Sequence, residues 1–391
     1  MEASTVRKIF YLPCALLLVL TACALNIQAQ CAPGQSGDYL ATSNSAAVLA
    51  PTSPAMQGVL ASLANLPEAD TLIYINSQRI INEVVPRFLP AKNVEEMRKG
   101  FEEAKKNAGI DPAGVEFVVI AIRFKKPTAS LNFQPPEFMV VSGGNFSAES
   151  LMTLARMASQ GKLRDEKYGD KTMGLMTIDP LVKEAEKNPF LKGFTEVGLV
   201  TLNANTIAAG SPGYLRAAID AGGGKDRISA ATLNSLVRDP NALISMAGTP
   251  WHSFAKSFGM LGTEANARAP RCETTMGDFY AALTMDATNF MIRGAMNADN
   301  PDTAKIMTNL FAGFLNQATS SIPDPAAQAL LKGLALTAEG DEVLLRADVP
   351  QQLIIDFMQK QMKPKEATPE MTATPPTPRK TVTRRRSRRR G

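Results

Sequence analysis

The residues able to do acid–base, nucleophilic or metal chemistry are few and far apart. His252 is the only histidine among 391 residues. That excludes an H-E-x-x-H site and any metal centre built from several histidines. There are four cysteines, Cys14, Cys23, Cys31 and Cys272, too scattered for a zinc cluster. His252 follows Trp251, the only tryptophan. The two read either as a binding pair or as an ordinary helix start with a packed indole, and the second reading is the commoner fate of such residues. Gly222-Gly223-Gly224-Lys225 does not complete a phosphate loop. Ile219 stands where the first glycine is needed, and Asp226 where Ser or Thr must follow the lysine. The glycines read as a flexible connection.

Ser253-Phe254-Ala255-Lys256 fits S-x-x-K and in that respect resembles penicillin-binding proteins and serine β-lactamases. The resemblance implies Ser253 as nucleophile and Lys256 as its base, one helical turn away. The companion motifs depart from the pattern. Ser130-Leu131-Asn132 precedes the serine instead of following it, and no K-[ST]-G comes after. No catalytic, cofactor-binding or metal residue is assigned, and the expectation is a chain that is not an enzyme and takes no cofactor.

The two ends say more. Arg7-Lys8 precede an apolar run from Ile9 to Leu20, and Thr21-Ala22-Cys23 follow. A basic start, a short apolar core and small residues describe an export signal. The run is shorter than the roughly 20 residues that a spanning helix needs. Leu20-Thr21-Ala22-Cys23 resembles the bacterial lipobox, which implies release before Cys23 and a lipid on that cysteine. The alternative is cleavage after Ala29 and free secretion. The expected location is the periplasm or the outer membrane as a lipoprotein, or outside the cell. In such an oxidising compartment Cys31 and Cys272 either pair or remain two thiols. A bridge closing so long a loop would contribute up to about 5 kcal/mol.

At the other end, residues 363–391 carry +8 of the formal net charge of +5, and residues 1–30 carry +1. This leaves −4 for residues 31–362, so the basic character belongs to a tail. Arg384, Arg385, Arg386, Arg388, Arg389 and Arg390 form a polycationic block behind a Pro/Thr-rich stretch. Such a block is an electrostatic tether for polyanions. No aromatic residue interleaves, which argues against base stacking and a specific nucleic-acid partner. The expected partner is an anionic envelope surface or polymer, beside a membrane reached through the lipid.

These ends flank a body with enough apolar residues, 45% overall, to fold. β-branched and aromatic runs predict strands at Thr71–Ile75, Phe117–Phe124, Phe138–Val141, Met173–Ile178, Gly198–Leu202 and Thr206–Ala209. Helical spacing predicts helices ending near Leu66, stopped by Pro86, spanning about 92–108, capped by Ser147 and opened by Pro212. The same order then recurs. Ala242–Met246, Trp251–Phe258, Phe279–Thr284, Phe290–Ala295, an Asn300-capped helix, Leu334–Ala338, Val343–Ala347 and a helix to Met362 follow in turn. Gly198-Leu199 through Ala209-Gly210-Ser211-Pro212 aligns with Gly333-Leu334 through Ala347-Asp348-Val349-Pro350.

The expectation is an α+β fold: two diverged copies of an antiparallel-sheet unit, each with helices packed on one face of its sheet, plus disordered ends. The divisions are an export signal over 1–22 (alternative end 29), a flexible linker over 23–54, units at 55–225 and 226–362, and a tail over 363–391. The element order, with phrases such as Asp70-Thr71-Leu72-Ile73-Tyr74-Ile75-Asn76, resembles bacterial exported proteins with domains of unknown function. The resemblance implies the fold and an envelope location, and it brings no site. The functional expectation is a non-catalytic envelope protein that binds or scaffolds. The alternatives are a carrier of a lipid or other apolar ligand between sheet and helices, and a serine hydrolase using Ser253 and Lys256. The many methionines read either as core filling or as the lining of such a cavity.

Overall fold

Among the described residues twelve segments take up extended backbone, and all of them pair antiparallel in one sheet. A computed structural model of the chain describes residues 54–109, 111–124, 136–177, 195–249, 277–322 and 325–362. The strands are β1 (Thr71–Ile75), β2 (Val115–Arg123), β3 (Glu137–Gly144), β4 (Arg164–Tyr168), β5 (Lys171–Thr177), β6 (Glu196–Asn203), β7 (Thr206–Gly210), β8 (Ile244–Gly248), β9 (Phe279–Met285), β10 (Asn289–Asn297), β11 (Leu334–Glu339) and β12 (Glu342–Pro350). Their order across the sheet is β11-β12-β10-β9-β8-β1-β2-β3-β7-β6-β5-β4. The fold is α+β, as expected. The two units, however, do not each close a sheet: β1 pairs with β8 and makes them one.

On either side of that seam the same arrangement is laid out. Outward through the first half, Ile73 faces Ile120, Ile120 faces Val140, Val140 faces Ala209 and Ala209 faces Leu199. Through the second half, Ile244 faces Leu283, Leu283 faces Ile292, Ile292 faces Ala347 and Ala347 faces Leu334. Leu199 and Leu334 hold equivalent places in the two ladders, as do Ala209 and Ala347. At the seam itself Tyr74 lies opposite Ser245. Backbone bonds close it at both ends, from Asn76 N–H to the Leu243 carbonyl (2.9 Å) and from Thr249 N–H to the Asp70 carbonyl (2.8 Å).

The helices are α1 (Pro54–Leu63); a three-part segment α2 (Ser77–Arg79, a π turn over Ile80–Val84, then Val85–Phe88); α3 (Ala91–Ala108); α4 (Ala148–Ala158); α5 (Pro212–Gly222); α6 (Ala230–Leu236); α7 (Pro301–Ser321); α8 (Pro325–Lys332) and α9 (Gln351–Met362). Their ends follow local chemistry. The Ser147 hydroxyl accepts from Ser150 N–H, and the Asn300 side chain accepts from Thr303 N–H, each satisfying an orphan donor. Gly109 closes α3 at φ +67°, a conformation that suits glycine. Pro86 does not stop its helix as expected. The π turn before it lets Val85 N–H bond the Ile80 carbonyl, and Pro86 falls in the first turn of the last part, where no N–H is needed.

Period-two side chains build two cores on opposite faces of the sheet. Leu72, Tyr74, Val119, Ala121, Met139, Val141, Val200 and Ala208 share one face and pack with Leu63, Tyr214, Leu215, Leu233 and Leu236 of α1, α5 and α6. Phe290, Ile292, Ala347 and Val349 point to the other face. They meet Ile80, Val84 and Phe88 of α2 and Ile354 of α9. Beside them, Ala304 and Met307 of α7 pack with Val343. So α2, which follows β1, covers strands of the second half. Burying side chains of this size contributes about 1.5–3 kcal/mol each, which is why the faces are so strictly sorted.

Gly248 tests the seam. A Cβ there would lie 2.1 Å from the Asp70 carbonyl oxygen and 2.9 Å from the Thr71 Cα. Gly248→Ala is expected to cost about 1–3 kcal/mol in urea unfolding by overpacking. Gly100→Ala in α3, where a Cβ meets nothing within 4 Å, is expected to stabilise by about 0.5–1 kcal/mol. Equal effects at the two sites would contradict the seam geometry.

Candidate functional site

The residues that the sequence singles out lie mostly at the ends and in one inner segment. Cys23, Cys31, Cys272, Trp251, His252, Ser253, Lys256, Ser130 and Arg384, Arg385, Arg386, Arg388, Arg389 and Arg390 fall outside the described residues. The glycine run is described. Gly222 ends α5, and Arg227 reaches back to donate to the Ala221 and Gly222 carbonyls at 2.7 and 3.2 Å. This is the carbonyl end of a helix, negative in its dipole, the opposite of what a phosphate requires. The reading of Gly222-Gly223-Gly224-Lys225 as a connection fits that geometry.

The most enclosed polar cluster joins β2, β3 and α5. The Arg123 guanidinium donates to Glu137 at 2.6 Å and lies 4.4 Å from the centre of the Tyr214 ring. Glu137 sits over the start of α5: a Cβ on Gly213 would come within 2.7 Å of its Oε1. A carboxylate there complements the helix dipole. Tyr214 O–H donates to the Glu68 carbonyl at 3.0 Å, and Ser211 and Phe138 exchange hydrogen bonds beside it. Each group has its partner, so the cluster fastens the helix to the sheet. Sequence spacing gave no sign of it, since its members come from positions 68, 123, 137 and 214.

Two further clusters are of the same kind. Arg79 holds Glu83 at 2.7 Å, and this hydrogen bond lowers the Glu83 pKa. Arg216 donates to Glu166, whose pKa it lowers, while Tyr168 O–H donates to Asp220 at 3.0 Å. On the open face of the second half, Arg293 and Arg346 stand directly opposite each other across β10 and β12. Arg293 is neutralised by Asp348 at 2.8 Å, and Arg346 lies 3.8 Å from Glu339. Among the described residues, no group of three or more His, Cys, Asp or Glu is placed to hold a metal.

A cleft of about 170 Å³ opens between α1 and the sheet, lined by Gly58, Ser62, Glu116, Phe117, Asn205 and Thr206 among others. Ligand pockets commonly measure about 300–1,000 Å³ and are mostly apolar. This one is smaller and polar at its mouth, so it has no room for a lipid. Met139, Met152 and Met173 are fully buried, as core fillers are, while Met157 and Met176 are exposed.

No protein family and no curated protein sequence matches this chain. Among the solved structures similar to it are three crystal forms of TP0453. Form I has a TM-score of 0.37 at 10% identity, covering 76% of this chain and 96% of that one. Form III has a TM-score of 0.40 at 10% identity over 76% and 97%, and form IV 0.37 at 9% over 77% and 99%. At such scores the description of the fold rests on the strand pairings themselves.

Burial acts on the tyrosines. Desolvation raises Tyr74 to about 12 and raises Tyr214 and Tyr280 as well. A group whose pKa is higher folded than unfolded contributes stability below the unfolded value, near 10, and loses it as pH climbs through the folded value. Alkaline titration is therefore expected to unfold the protein above pH 10, with these phenols ionising only as structure is lost. Phenolate absorbance and circular dichroism recorded together would show it. Ionisation of Tyr74, Tyr214 and Tyr280 near 10 with the fold intact would refute it.

Proposed function

We propose that this chain is an exported, non-catalytic protein in which a rigid sheet-and-helix body binds or scaffolds while the arginine tail docks on anionic envelope material. The observation that carries the reading is the separation of charge. Within the body, cations such as Arg123, Arg216 and Arg293 are matched with Glu137, Glu166 and Asp348. Residues 379–390 hold eight Lys or Arg and no acid. Each basic residue near an anionic surface contributes about 1 kcal/mol, screened by salt. Kinship with bacterial exported proteins, and descent of the two halves from one unit, belong to the same proposal. The matched ladder positions support the second point.

The expected outcome of deleting 379–390 is loss of salt-sensitive retention on vesicles of anionic lipid, with no change on neutral vesicles. Retention that survives the deletion would sink the docking reading. The intact mass of the protein recovered from a bacterial envelope is expected to show a chain starting at an acylated Cys23. A start at Gln30 without lipid would replace the anchor by free secretion. The same mass, taken before and after reduction and alkylation, reports whether Cys31 and Cys272 are bridged.

A further inference from the structure

The two edges of the sheet are built differently. β4 ends it with Arg164, Asp165, Glu166 and Lys167, a charged row of the kind that blocks edge pairing. β11 ends the other side with Leu334-Ala335-Leu336-Thr337-Ala338, in which no charge appears before Glu339. Within the chain the counterpart of β11 is β6, which holds the same place beside β7 that β11 holds beside β12. β6 does not end the sheet: it takes β5 on its outer side, with Leu175 facing Gly198. The matching place beside β11 is taken by no described strand.

Backbone direction follows from the hairpin. Glu339 pairs with Glu342 across the two-residue turn Gly340-Asp341. Residues closing such a turn exchange both hydrogen bonds, and the alternation then sends the amides and carbonyls of Leu334, Leu336 and Ala338 outward. Their side chains are half-buried under helices, whereas Ala335 and Thr337 are exposed on the other face.

We propose that β11 pairs antiparallel with β11 of a second copy, about a two-fold axis through Leu336, so that the sheet continues from one chain into the next. That register alone matches all three outward-facing residues. Leu336 meets its own copy, Leu334 meets the second copy's Ala338, and Ala335 meets the second copy's Thr337. It also opposes no like charges. Glu339 falls opposite the second copy's Gly333, so no charged residue of either strand meets a like charge. Helix α7 packs over both β11 and β12. The two copies of α7 would then lie about 10 Å apart across the new seam, an ordinary helix spacing.

Sedimentation velocity of the full chain over a range of concentrations is expected to show a dimer that persists at high salt. Ala335→Glu combined with Thr337→Glu places carboxylates opposite carboxylates only in the dimer, at positions exposed in the single chain. This variant is expected to sediment as a monomer with an unchanged circular dichroism spectrum. Ala335→Cys combined with Thr337→Cys is expected to give, on mild oxidation, a reducible covalent dimer beyond any seen for the unsubstituted chain. A monomer at every concentration, a dimer that survives the two glutamates, or no additional cross-link would each overturn the proposal.

Discussion

The backbone bonding between β1 and β8 is the constraint on which the rest of the molecule depends. Each is a five-residue strand at the inner limit of its half. Neither half could leave that edge open without exposing a row of unpaired amides and carbonyls. Pairing them satisfies both rows at once, and it places Tyr74 and Ser245 at the centre of a sheet whose two arms repeat one order. The Ser245 hydroxyl donates to the Leu236 carbonyl at 2.6 Å, which ties α6 to the same line. Residues after the glycine connection thereby share the first core: Ile228, Leu233, Leu236 and Val237 all lie in it.

Sharing one sheet changes what the helices can cover. α5 begins at Pro212, directly after β7, and lays Tyr214 and Leu215 on the first face. At the matching place β12 runs on to Pro350 before α9 starts, and Ile354 packs on the opposite face. Strand side chains alternate, so a small shift in where the strand ends sends the following helix to the other side. With α2 crossing the seam to the second half, each arm has a buried face the other leaves freer. On the freer face of the second half β10 and β12 carry Arg293, Arg346 and Asp348, whereas Tyr280 and Ala282 of β9 are buried with Ala242.

The body answers its buried polar groups in pairs. Arg123, Glu137 and Tyr214 form a closed set around the start of α5. No buried side-chain nitrogen or oxygen among the described residues lacks a partner. A fully answered polar group adds order and positioning, whereas a half-answered one is costly. The cationic tail stands in contrast, with eight like charges over 379–390 and no acid among them.

Most of the elements were legible in the sequence because their signals are local. β-branched runs marked Thr71–Ile75 and Phe138–Val141, and Ser147, Asn300 and Gly109 marked helix ends. β4 was missed because an edge strand of Arg, Asp, Glu and Lys has no apolar alternation to read. The short helices α6 and α8 were missed because seven or eight residues show little more than two turns. The Arg123 cluster was illegible for another reason: its members converge from distant positions. The sequence by itself determined most of the strands and helices, since propensity, caps and alternation act within a few residues. Tertiary structure alone decided that the two units make one sheet and that their helices take opposite faces, because a hydrogen-bond seam and a strand's last residue have meaning only once distant segments meet.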